Sequence, residues 1–163
     1  MALKERGDIV KNKLGLTEYY FDDIEKNLIK FKMRLLDDKF TFNCDFFSFE
    51  YLKRLHEFLF EDLYNDNFSG ARTLNKIEVD YINQYLTEVK KLLTIRPLDI
   101  DYILLIIEKI WHFQPFIVGN TRTMFSYLKI LNQKFLLGLN VNEEIEIKST
   151  DDMFKVKKYV NQK

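Results

Sequence analysis

Helix breakers are scarce in this chain, and that limits the folds open to it. Its 163 residues include five glycines and two prolines. Between those interruptions apolar residues return every three or four positions, the period of an α-helix with one buried face. The expected fold class is all-α, a bundle of about six helices.

The first helix is expected from Thr17, as its cap, to about Leu36, with Phe21, Ile24, Leu28, Phe31 and Leu35 as the inward stripe. Residues 37–47 connect it to a second helix capped by Ser48, whose Phe49, Leu52, Leu55, His56, Leu59, Phe60 and Leu63 share a face. "NDNFSGARTLNK" then breaks the pattern as a short hairpin or irregular loop. A third helix carries Val79, Ile82, Tyr85, Leu86, Val89 and Leu93. Pro97 suits the first turn of a fourth, "PLDIDYILLIIEKIWHF", which is apolar on most sides and is expected at the centre of the bundle. A fifth runs from about Thr121 to Leu137 and stops at Gly138. "STDDMFKVKKYV" reads as a last short helix, within a helical extension over 138–163. One domain over 1–163 is expected at this length.

Composition narrows the function classes. Hydrophobic residues make up 47%, with fifteen Phe and nine Tyr, enough to bury a core and to argue against disorder. Lys plus Arg equals Asp plus Glu at 25 each, whereas general nucleic-acid binding needs a surplus of cations. The single cysteine, Cys44, builds neither a disulfide framework nor a zinc cluster, and its aromatic flanks suggest a buried thiol. His56 reads as a core histidine, and no carboxylate pattern joins it to the distant His112, so no metal site is expected. "MALKERGDIVKNK" lacks the apolar stretch of a signal peptide, and "YILLII" is too short to span a bilayer. The expected setting is cytoplasmic, without a membrane partner.

The stretch that invites chemistry is "WHFQPFIVGNTRTMF", residues 111–125. A residue before proline is pushed out of the helical region, so the central helix should end near Phe113. Gly119 tolerates backbone angles that other residues avoid. A new helix then begins at Asn120 or Thr121, and its first N–H groups lack helical acceptors at the positive end of the dipole. Such an end is an anion site. Arg122 falls in that first turn, where the dipole disfavours a cation and a phosphate would favour one. The plainer reading is a helix–loop–helix corner, with Asn120 or Thr121 as a cap and Arg122 at the surface.

"QPFIVGNTRT" resembles the signature of the Fic domain family, which reads His-Pro-Phe, two residues of which the second is acidic, then Gly-Asn-x-Arg. The preceding "IIEKIWHF", the upstream "FEYLKRLHEFLFEDLY" with "GARTLNK" after it, and "NKLGLTEYYFDDIEKNL" near the start are similar to that family in the same order. The resemblance covers about residues 10–137. It implies a helical bundle with a short flap that uses ATP to place AMP on hydroxyls of target proteins. Gly119, Asn120, Thr121 and Arg122 would bind the nucleotide phosphates. Ala71, Arg72, Thr73, Leu74 and Asn75 would lie in the flap, which clamps a target or regulatory protein as an added strand.

The signature is degenerate. Gln114 stands in place of the histidine base, Val118 in place of the acidic Mg²⁺ ligand, Thr121 where many members have glycine, and Phe125 where many have a second arginine. A carboxamide accepts no proton near neutral pH, and a general base is typically worth about 10²–10⁴ in rate. Valine offers no oxygen to a hard cation. The resemblance therefore implies an adenylyltransferase relative that keeps its ATP site and has weak or lost transfer, with no metal ligand. The alternatives are an active transferase with another base, His112 being the nearest histidine, and a non-catalytic protein-interaction module.

Overall fold

The computed structural model describes residues 27–28, 31–33, 35, 42–62, 74–116, 119–141 and 160–162. Its elements are α1 (Phe49–Phe60), α2 (Lys76–Leu92), α3 (Ile100–His112), α4 (Asn120–Phe135), β1 (Leu139–Val141) and β2 (Val160–Gln162). Residues 27–28, 31–33 and 35, ahead of α1, are also helical. The fold is all-α apart from the small ribbon, and among the described residues no helix is long and apolar enough to cross a membrane.

Three helices begin where a side-chain oxygen can replace a missing acceptor. Ser48 accepts from the Tyr51 N–H, Asp99 from the Tyr102 N–H, and Asn75 from the Glu78 N–H, while Glu78 accepts in return from the Asn75 N–H. The last pair is a capping box. Because Asp99 supplies the cap, α3 starts at Ile100, and Pro97 lies ahead of it instead of in its first turn.

Helix α1 packs against α2 and α4, and α3 against α2 and α4. The core forms where they meet, from Leu52, Leu55 and Phe60 of α1, Ile82 and Leu86 of α2, Ile103, Ile107 and Ile110 of α3, and Tyr127 and Leu131 of α4. The connector before α1 is tied across the bundle. Phe46 stacks on Tyr127 at 4.6 Å, and the Tyr127 hydroxyl donates to the Phe46 carbonyl at 2.9 Å. Cys44, in the same connector, is half-buried, and that burial pushes its thiol pKa up.

Two expectations fail in informative ways. Phe31 and Leu35, placed on the inward stripe of the first helix, are 54% and 46% exposed, and Lys32 is buried instead. The Lys32 ammonium donates to Glu61 Oε1 at 2.7 Å, sits 3.1 Å from Asp62 Oδ2 and lies 4.6 Å over the Phe58 ring. Leu28 of the same stripe does pack against the core, as does Met33. Thr17, Phe21 and Ile24 lie outside the described residues, as does Leu63.

The second failure is at the C-terminal side. Leu139–Val141 and Val160–Gln162 form an antiparallel ribbon, with Val141 opposite Val160, where a helical extension was expected. β-Branched residues fit a pleated surface better than a helix. The remainder of 138–163, including most of the expected last helix, lies outside the described residues. Helix α4 also ends earlier than expected. Leu136, at φ 51°, turns left-handed two residues before Gly138, which is left-handed as well, and the Leu137 N–H reaches back to the Asn132 carbonyl. A left-handed L-residue costs about 1–2 kcal/mol. Since Leu136 is 86% exposed, its side chain returns little. The expected outcome is that Leu136→Gly raises stability by about 0.5–1 kcal/mol, read as a higher denaturant midpoint with an unchanged slope.

Candidate functional site

The corner between α3 and α4 is built by backbone groups that need partners. Helix α3 closes with the Phe113 N–H on the Ile110 carbonyl and the Gln114 N–H on the Trp111 carbonyl. Gln114 then turns to φ 47°, a region that side-chain-bearing residues avoid. Pro115 and Phe116 go into the core. Ile117 and Val118, the expected metal-ligand position among them, lie outside the described residues. The chain returns at Gly119, which N-caps α4 at φ 81°.

Asn120 organises this corner. It is 5% exposed, and its Oδ1 accepts from the Phe116 N–H at 2.9 Å while its Nδ2 donates to the Phe116 carbonyl at 2.9 Å. Both polar groups of one buried peptide residue are thus satisfied by one side chain, where leaving either unpaired costs about 1–3 kcal/mol. Asn120 Nδ2 also lies 3.2 Å from Gln114 Oε1, and Gln114 Nε2 donates to the Trp111 carbonyl at 3.1 Å. Next to it, the Trp111 indole N–H donates to Thr121 Oγ1 at 3.2 Å.

Helix α1 supplies the floor. His56, buried, lies flat on Phe116 with ring centres 4.1 Å apart and planes 9° apart, and its ring is 4.9 Å from that of Phe60. A Cβ on Gly119 would come within 2.5 Å of the Phe60 ring. Glycine is therefore required at 119 twice over, by its backbone angle and by the closeness of Phe60.

The cap Gly119 has no side chain to occupy the first amides of α4, and the first turn holds Arg122 but no acidic residue. Gln114 is a neutral carboxamide already hydrogen-bonded on both sides. His112 is exposed at the end of α3, its ring edge-on to Trp111 at 5.2 Å. Among the described residues no three His, Cys, Asp or Glu side chains gather as a metal would require.

The structure thus brings Gln114, Gly119, Asn120, Thr121 and Arg122 into one corner, with His112 two residues before Gln114. Ala71, Arg72 and Thr73 of the expected flap lie outside the described residues. Leu74 packs against the core and Asn75 caps α2. Phe125 is half-buried against the core. Sequence reasoning did not find Phe60 under Gly119, nor the bond from Trp111 to Thr121. The position of Phe60 on the apolar face of α1 gave a core signal and nothing more.

Gly119→Ala and Gly138→Ala separate the two demands on glycine. Both glycines have positive φ, at 81° and 72°, but an added Cβ at 138 meets nothing within 4 Å. Gly138→Ala should cost about 1 kcal/mol, and Gly119→Ala at least about 2 kcal/mol because Phe60 must also move. Equal midpoints in urea denaturation would contradict the packing against Phe60. No protein-family model matches this chain, and no curated protein matches it.

Proposed function

We propose that this chain is a Fic-like protein that holds the phosphates of a nucleotide, ATP by resemblance, on the amino end of α4. Its transfer of AMP to protein hydroxyls is weak or lost. The observation that supports this most is the conjunction at one helix end of Gly119 as a side-chain-free cap, Arg122 in a first turn without acid, and a Gln114 carboxamide in the place of a base. Backbone amides and a guanidinium suit phosphate oxygens, and none of these groups takes up a proton from a hydroxyl.

Mg²⁺ has no part in this reading, because Val118 carries no oxygen where the resembling family has an acid. The partner class is a target or regulatory protein. A chain of this kind would act by binding in the cytoplasm and not by turnover. The reading as a protein-interaction module without nucleotide has one observation in its favour: Ile77 and Tyr81, one turn apart near the start of α2, are 66% and 50% exposed.

Calorimetric titration with ATP, with and without Mg²⁺, tests the proposal. Binding of equal affinity in both conditions is the expected result, together with no labelled AMP on any protein in a lysate. Absence of binding in both conditions removes nucleotide handling and leaves the interaction module. Transfer of label by the natural chain would mean that another group, with His112 the nearest histidine, serves as base.

A further inference from the structure

We infer that Gln114 is a positioning residue, whose carboxamide carries the end of α3 onto Asn120 and so sets where the first amides of α4 stand. On this view the carboxamide at position 114 does more than stand in the place of a base. It is a link that the corner needs in order to hold its shape.

The hydrogen-bonding groups permit one arrangement. A backbone N–H can only donate, so the atom of Asn120 that meets the Phe116 N–H at 2.9 Å is its oxygen. The nitrogen of Asn120 then faces the Phe116 carbonyl at 2.9 Å and the Gln114 side chain at 3.2 Å. Across that 3.2 Å a nitrogen must meet an oxygen, so Gln114 presents Oε1 there and turns Nε2 to the Trp111 carbonyl at 3.1 Å. The same carbonyl takes the Gln114 N–H at 2.9 Å. Each link fixes the next, from the last turn of α3 to the first residue of α4. Gln114 also holds an unfavourable φ of 47°, which persists only where the surroundings over-determine it.

Side chains of other chemistry break the relay at known points. Methionine matches glutamine in length and brings neither donor nor acceptor. A glutamate carboxylate keeps an acceptor for Asn120 but sets a second oxygen against the Trp111 carbonyl. Protonated glutamic acid is neutral and regains one donor, its O–H, toward that carbonyl.

The test is amide hydrogen exchange on the full chain, with protection of the Phe116 N–H measured relative to Ile107 in the core of α3. Gln114→Met should lower that relative protection about tenfold at every pH, of the order of one neutral hydrogen bond. Gln114→Glu should lower it near neutral pH and restore it on acidification as the carboxyl gains its proton. Phe116 protection unchanged in Gln114→Met overturns the inference, and so does a Gln114→Glu variant that ignores pH. The consequence for an anion rests on the function proposed above and is read separately, by titrating inorganic phosphate. Gln114→Met should bind about tenfold more weakly than the natural chain if the amides of α4 have lost their setting. Should the natural chain bind no phosphate, the anion reading fails, while the exchange experiment still decides the role of Gln114.

Discussion

Two asparagines of α4 do the same work at opposite ends of the helix. Asn120 bonds both the N–H and the carbonyl of Phe116, and Asn132 bonds both the N–H and the carbonyl of Leu139, with distances of 2.8–3.0 Å throughout. A chain that enters or leaves a core must find partners for its backbone groups where no regular ladder exists. A carboxamide carries one acceptor and a donor pair in a plane, so it imitates a neighbouring peptide. The loop before α4 and the strand after it are both fastened to the helix this way. With Asn120 as its first residue, α4 presents its amino end at a defined place.

The corner around Asn120 is then shaped from two sides. Helix α3 contributes Trp111, whose carbonyl and indole both reach across to it. Helix α1 contributes the flat stack of His56 on Phe116 and the Phe60 ring against Gly119. The result is a support of stacked rings and hydrogen bonds under the helix end that carries Arg122 in its first turn. The proposed function, binding of an anion without turnover, rests on this helix end.

Much of this was legible in the residues. The helical period placed α1, α2, α3 and α4 within a few positions, and Ser48 was readable as a cap. The break at Gln114–Pro115 and the restart at Gly119–Asn120 followed from proline and glycine sterics. The cap at Asn75 was readable too, since Asn75 and Glu78 have capping-box spacing. The first helix was the harder case. A periodic stripe has no absolute phase, and Phe31 with Leu35 gave way to Lys32 once Glu61 and Asp62 stood nearby.

The sequence by itself determined where α1, α2, α3 and α4 run, where they break, and that the break before α4 joins a left-handed glycine to a helix start with an arginine. Those properties are local, set by sterics and spacing within a few residues. Only the tertiary structure decided that Asn120 closes on Phe116, that Phe60 fills the space beside Gly119, that Lys32 goes inward, and that Leu139–Val141 pairs with Val160–Gln162. Each of these satisfies a donor, a void or an exposed edge with a group supplied by another part of the fold. Which group arrives depends on how the helices pack, and no short window of residues contains that information.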